Sequence, residues 1–436
     1  MRKSFKAAFV SACAAATLLA LGVSPASAHN TLDESVPAEG DVLESPPSTW
    51  TLTFEKSVPL DSASGSVING DGVRTSLPSP RHGDSDKSII FDLPQDLGGV
   101  INARWRLVGV DGHVISGRVS FTVQSLAPGV STPISAPTGA ALAEAIPDDE
   151  PTTISEPIRV ALRLANFIFL LLLGGVLFAE LFVAERSMMI RSGMALLRVG
   201  ALGSAVVPLA QWWTFAVEVG SFGETLPLTP GVMFLIRSAA GFSMLAACEL
   251  ILRGHTQATS IKWQLGSAWA IYLIALAYAG HSRSQGFAWL GIPADVLHTT
   301  AVSAWLGGLA ALIFVIVPSV DVNQGVAYLS RFSHLAERAV IVVAGTGVIQ
   351  TIRLHGSLTT LFTSTHGLLL LLKVSLVVLI IRLAARNRNV LRAVHDGSSN
   401  SNAHTRSVLV KSALKETMIA AFVLLVTAFL VGASLD

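Results

Sequence analysis

The stretch VALRLANFIFLLLLGGVLFAELFV, residues 160–183, runs for 24 residues with Arg163 and Glu180 as its charges. A bilayer core about 30 Å thick needs about 20 predominantly apolar residues in an α-helix, so this stretch reads as a membrane span. Seven more runs of comparable character follow, near 196–217, 231–251, 264–280, 294–317, 337–353, 366–385 and 414–434. Residues 158–436 are therefore expected to form an all-α polytopic bundle of eight transmembrane helices. Composition agrees, since 51% of the chain is hydrophobic and 14% charged, the balance of a membrane protein. A net charge of +1 gives no basis for a nucleic-acid partner; the partner implied is the lipid bilayer.

The connections between these runs give an orientation. Arg186, Arg191 and Arg198, then Arg253 and Lys262, then Arg331 and Arg338, then the run from Arg382 to Lys415 fall in alternate connections, whereas Arg283 and Arg353 fall in the others. Cytoplasmic connections are the ones enriched in Lys and Arg, so the first set is assigned to the cytoplasm. Everything before Ile158 then lies outside a plasma (inner) membrane that the chain crosses many times.

The residues ahead of the spans have a different texture. Residues 125–157 hold six prolines among many small residues and read as a flexible linker, which by coil scaling spans roughly 30 Å. Residues 29–124 carry short alternating segments such as STWTLTFEKSV, SIIFDLP, INARWRLVGV and ISGRVSFTVQ, separated by Gly, Pro, Asp and Ser clusters. That is the pattern of an exported all-β Greek-key sandwich of the Ig or cupredoxin-like kind. At the start, Arg2, Lys3 and Lys6 precede the apolar AAFVSACAAATLLALGV and the small-residue triplet Ala26-Ser27-Ala28, the layout of a signal peptide over residues 1–28. Cys13 would leave with it and Cys248 lies in an apolar run, so the mature chain has no intramolecular disulfide to form.

Cleavage after Ala28 would give His29 a free α-amino group beside its imidazole, two ligand nitrogens in one residue. In LVGVDGHVISG, residues 107–117, Asp111 and His113 are two apart and would project from one side of a strand. Three nitrogens and one carboxylate oxygen suit copper(II), set against the plainer reading of Asp-Gly as a hairpin turn beside a surface histidine. His82, in SPRHGDSDKS, reads as a solvated loop residue.

These residues carry a family resemblance. HNTLDESVPAEGDVLESPPSTWTLTFEKSV resembles the opening of CopC-type copper-binding domains, with their H-x-x-L-x-x-S-x-P-A-x-G pattern, and WRLVGVDGHVISGRVSFTV resembles their closing strands with the D-x-H pair. The resemblance implies that His29, Asp111 and His113 carry copper(II). Residues 29–157 contain no Met, so the methionine-rich copper(I) site of some such domains is missing. DVLHTTAVSAWLGGL (295–309), RFSHLAERAVIVVAGTG (331–347) and THGLLLLLKVSLVVLIIRLAARNRNVLR (365–392) resemble the CopD family of copper-transport membrane proteins. The whole is similar to a CopC and a CopD fused in one chain, which implies copper homeostasis or resistance through import across the plasma membrane.

Inside the bundle, His281 closes the fourth run, His298 begins the fifth, His355 follows the sixth and His366 begins the seventh, all toward the outer side. Asp295 lies one turn before His298 and could orient its imidazole, and Trp305, seven residues on, shares its face. Histidines of short external loops are the blander reading for His355 and His366, whereas an ionisable residue within a span usually faces a cavity or a partner, which favours His298. Met233, Arg237, Met244 and Cys248 fall along one stripe of the third run, where sulfur ligands would suit copper(I) and ordinary packing is the alternative. Arg237 and Lys373 lie well within spans and would pair with an acid such as Glu180 or Glu249. A copper chaperone or reductase is a further conceivable partner.

Two rival functions are weighed. A terminal histidine with a second histidine also forms the copper brace of oxidative enzymes, but Asp111 as a ligand would fill the position that such chemistry needs open. A membrane copper sensor would need a signalling segment, and none follows the last run. No GxxxxGK[ST] motif appears, so ATP-driven pumping within the chain is not expected, and the chain is expected not to be an enzyme.

Overall fold

The computed structural model describes residues 31–55, 57–109, 114–124, 154–183, 193–254, 259–280, 287–320, 322–354, 360–395, 415 and 418–432. The chain divides into two units, one holding residues 155–212 and 233 onward, the other holding the β region up to residue 154 with residues 213–232.

In the β region two sheets form. One has the order β1 (Leu32–Val36), β3 (Thr49–Phe54), β7 (Ser88–Asp92), β6 (Arg81–His82), and the other the order β2 (Val42–Leu43), β9 (Val114–Val123), β8 (Gly99–Val108), β4 (Ser64–Ile68), β5 (Arg74–Ser76). β3 (Thr49–Phe54) shows how the sequence dictates this: TWTLTF alternates, and Trp50, Leu52 and Phe54 are each at most 1% exposed while the threonines between them are half-buried. Successive side chains on a strand face opposite ways, so one face of β3 enters the core. β8 (Gly99–Val108) and β9 (Val114–Val123) pair antiparallel along their whole length, from Gly99 with Val123 to Val108 with Val114. Ile101, Ala103, Trp105 and Leu107 of β8 face the core together with Phe121 and Val123 of β9. Phe54 meets Trp105 edge-on at 5.1 Å and Trp50 lies 5.6 Å from Phe91, a tilted aromatic packing that ring quadrupoles favour over face-to-face stacking. The Trp50 indole also donates to Ser35 Oγ at 3.0 Å, which ties β3 to β1 (Leu32–Val36).

The helical unit follows the apolar runs closely. The main helices of the chain are α1 (Glu156–Phe182), α2 (Met194–Val219), α3 (Thr229–Leu252), α4 (Thr259–Ala279), α5 (Ala288–Val302), α6 (Val322–Leu354), α7 (Thr365–His395) and the shorter α8 (Met418–Leu430), the end of α2 and the start of α3 being assigned to the other unit. Among the described residues six helical segments are long and apolar enough to cross a membrane, those of α1, α2, α3, α5 with its continuation, α6 and α7. α4 and α8 occupy the positions of the fourth and eighth runs. α1 begins as its sequence asks, with Ser155 before it, Pro157 in its first turn, and Glu156 binding Arg159 at 2.9 Å and Arg163 at 3.0 Å.

The fifth span departs from a plain α-helix. After α5 come a π-turn at Ser303–Gly307, one α-turn at Gly308–Ala311, a second π-turn at Leu312–Ile316 and a 3-10 turn at Val317–Ser319. This span is the most enclosed, with 67% of its apolar window buried against 6% for α7. Close helix approach makes this possible. A Cβ on Gly175 of α1 would strike the Gly307 backbone, and one on Gly307 would strike the Leu171 carbonyl. Small residues let membrane helices approach in this way.

Candidate metal centre

His29, Asp111 and His113 lie outside the described residues, so the external site is defined by what flanks it. Thr31 accepts from the Glu55 backbone N–H at 3.0 Å, and Leu32 is the register partner of Phe54, so β1 starts where β3 ends. Phe54 packs on Trp105, three residues before β8 ends at Val108, and Val108 is paired with Val114, where β9 begins. Ser62 clamps that end of the hairpin, donating to the Val108 carbonyl at 3.1 Å and accepting from its N–H at 2.9 Å. The chain just after His29 and the two strand ends joined through Asp111 and His113 thus come to the same end of the sandwich. From Thr31 back to His29 the backbone reaches at most about 7 Å.

In the membrane, α5 carries Asp295 and His298 on one side, one turn apart. His298 lies ten residues from the start of α5, about 15 Å of helical rise. Its Nδ1 is 2.9 Å from the Thr346 hydroxyl of α6, and Thr346 itself is buried. Lys373 of α7 is within electrostatic reach of the His298 ring, and Asp295 is a charge neighbour of both Lys373 and Arg353. Gln350, one turn after Thr346 on α6, donates to the Gly291 carbonyl of α5 at 3.3 Å and accepts from Arg353 at 2.7 Å. α6 and α7 therefore bring a hydroxyl and a lysine to His298, and Asp295, one turn away on α5, is the acid neighbour of that lysine.

Other candidates divide. Trp305 is buried in the apolar core, but the π-turn that contains it changes the helical phase, so a seven-residue step from His298 no longer returns to one α-helical face. His366 is 4% exposed, which sets it apart from a loop histidine. His281 and His355 lie outside the described residues. On α3, Met244 and Cys248 are fully buried within the core cluster, and Met233 is half-buried. Among the described residues no three His, Cys, Asp or Glu side chains converge on one point.

The expected acid partner for Arg237 is replaced. Its Nη2 donates to the Gln211 amide oxygen of α2 at 3.0 Å and its guanidinium lies 4.8 Å from the Phe234 ring centre, while Glu249 binds Arg198 at 2.7 Å. Helix packing sets the neighbour of a buried side chain, and here it brings an amide rather than a carboxylate. Lys373 likewise has Asp295 as its acid neighbour, in place of Glu180 or Glu249. Sequence reading also missed Thr346 and the buried bond from Tyr272 of α4 to Asn166 of α1 at 2.6 Å. A lone Asn or Thr inside an apolar run is the signal that could have found them.

Residues 32–124 match the CopC domain family, and residues 326–430 match the CopD family, Copper resistance protein D. The chain is 27% identical over 385 residues to the copper transport protein CutJ of Bacillus subtilis (strain 168), covering 82% of this chain and 67% of that one. It is 30% identical over 278 residues to Copper resistance protein D of Pseudomonas syringae pv. tomato, covering 56% of this chain and 87% of that one. Protein YobA of Escherichia coli (strain K12) is 32% identical over 101 residues, covering 22% of this chain and 80% of that one.

Proposed function

Since the chain belongs to the copper resistance protein family, with a CopC domain followed by a CopD domain, we propose that it captures copper(II) outside the membrane and passes it to its helical bundle for uptake. The observation that carries this reading is the convergence, at one end of the β sandwich, of the strand that follows His29 and the hairpin strands that flank Asp111 and His113. A His29 amine and imidazole, the His113 imidazole and the Asp111 carboxylate supply three nitrogens and one oxygen, a donor set that favours copper(II). The amine becomes a ligand when the signal peptide is removed after Ala28.

The same reading makes the sandwich a Greek key outside the cytoplasm and the bundle one of eight spans, α4 and α8 crossing with the six longer helices. The Lys and Arg distribution between spans supports that orientation. Residues 125–157 tether the two parts. Copper enters the bundle at His298, with Asp295 and His281 supporting the handover and Trp305 further along the span. Support for His298 comes from its setting: an imidazole within a span, turned toward α6 and α7 rather than lipid, as functional intramembrane residues usually are. Radiocopper accumulation in cells is the test. His298→Ala should abolish accumulation while copper(II) capture persists, and His355→Ala should do much less. Parent-like accumulation by His298→Ala at equal membrane levels would reduce His298 to an interfacial histidine.

A further inference from the structure

We propose that Thr346 is a positioning residue that holds His298 with its proton on Nδ1 and so presents Nε2 as the copper-binding atom. The inference rests on the reading of His298 as the residue that receives copper, and its argument is a count of protons. A threonine hydroxyl has one hydrogen to donate and lone pairs to accept with, whereas a backbone carbonyl can only accept. The Thr346 hydroxyl lies 2.6 Å from the Val342 carbonyl and 3.2 Å from that of Val343, both on its own helix. Its single hydrogen is therefore committed to that turn of α6, in the back-bonding that Ser and Thr adopt within helices. At its third contact, 2.9 Å from His298 Nδ1, the hydroxyl has only lone pairs left. Nδ1 must then be the donor.

The alternative is poorer. Were the hydroxyl to turn its hydrogen toward Nδ1, it would give up its shortest bond in a buried setting where such bonds are hardest to replace. In an imidazole carrying one proton, a proton on Nδ1 leaves the lone pair on Nε2, and the hydrogen bond at the first nitrogen decides which nitrogen is free for a metal. The Val343 backbone is a second hydrogen-bond neighbour of this ring on the α6 side, and a carbonyl there can only accept, which again calls for a proton on the ring nitrogen that faces α6. Thr346 is β-branched, which stiffens the side chain, so the ring is fixed in direction as well as in tautomer.

Solid-state NMR of the full-length chain in lipid bilayers, with ring-15N histidine, reads the tautomer directly once the His298 signals are assigned by comparison with His298→Ala. The parent should show a protonated Nδ1 and a bare Nε2. Thr346→Val keeps the shape and removes the hydroxyl, and should give a mixed or reversed tautomer. Thr346→Ser should restore the parent spectrum. Copper accumulation should fall about tenfold in Thr346→Val, the lower end of what loss of a ligand's hydrogen-bond partner costs, and recover in Thr346→Ser. A protonated Nε2 in the parent, or a tautomer that Thr346→Val leaves unmoved, overturns the proposal. Accumulation that needs His298 but ignores Thr346→Val overturns the positioning role alone. Accumulation indifferent to both substitutions, with the tautomer still following Thr346, upholds the hydrogen-bond argument and overturns the entry-site reading beneath it.

Discussion

Replacing Gly307 by Ala adds one methyl group where the fifth span approaches the backbone of α1. That carbon would stand 2.9 Å from the Gly175 Cα and nearer still to the Leu171 carbonyl oxygen, whereas non-bonded carbons settle at about 3.5 to 4.0 Å. Both obstacles are backbone, so no side chain can swing aside and α1 must retreat from the fifth span by roughly 0.5 to 1 Å. A gap of that size forfeits about a quarter to a half of each dispersion contact across it. The contacts at stake include the buried Leu170, Leu173 and Val176 of α1. Overpacking of a well-filled interior costs about 1 to 3 kcal/mol, and the rigidity of the obstacle puts Gly307→Ala in the upper half. At about 2 to 4 °C per kcal/mol, the apparent melting midpoint should drop by roughly 5 to 10 °C. Heating the detergent-solubilised full chain and following the monodisperse fraction by size exclusion measures this. Gly266→Ala on α4 is the control, because its added Cβ meets nothing within 4 Å and alanine is the better helix former by about 1 kcal/mol. Equal midpoints for Gly307→Ala and Gly266→Ala would refute the close-approach argument.

Three further outcomes concern the external site and the topology. A chain whose processed form begins one alanine ahead of His29 should lose the native copper(II) signal in electron paramagnetic resonance; an unchanged spectrum and affinity would remove the α-amino group from the site. Affinity at the native site should also fall as pH drops below about 7, because an amine with a reference pKa near 8 and two imidazoles near 6.5 must shed protons to bind metal; pH-independent affinity would contradict that ligand set. Cysteines placed singly at Ser284 and Ser399 should differ toward an impermeant thiol reagent in intact cells, Ser284→Cys reacting and Ser399→Cys protected; labelling at the latter would invert the topology.

Features governed by length and alternation were legible in the sequence. The run at 160–183 became Glu156–Phe182 and the one at 414–434 became Met418–Leu430, because an apolar helix is bounded by where the apolar residues stop. TWTLTF declared its strand through its own period of two. What stayed hidden depends on neighbours distant in sequence. His298 and Thr346 are 48 residues apart, and nothing in VVAGTGVIQ announces which helix its threonine will face. The spacing between His298 and Trp305 is read at 3.6 residues per turn, and the π-turn at Ser303–Gly307 departs from that value. Arg237 was expected beside a carboxylate by charge logic, yet helix packing delivered Gln211.

That amide has a bearing on how the chain is made. An arginine near the middle of a lone helix raises the cost of entering lipid by about 2.5 to 3.5 kcal/mol on insertion scales. Gln211 belongs to the helix synthesised just before the one that holds Arg237, and Ser238 donates to the Ala205 carbonyl of that same earlier helix at 2.6 Å. The partner is thus already translated when the arginine leaves the ribosome, and the residues between the two helices are few enough to keep them adjacent. α2 and α3 are suited to leave the insertion channel as a hairpin, with the earlier helix acting as an intramolecular chaperone for the charge carried by the later one.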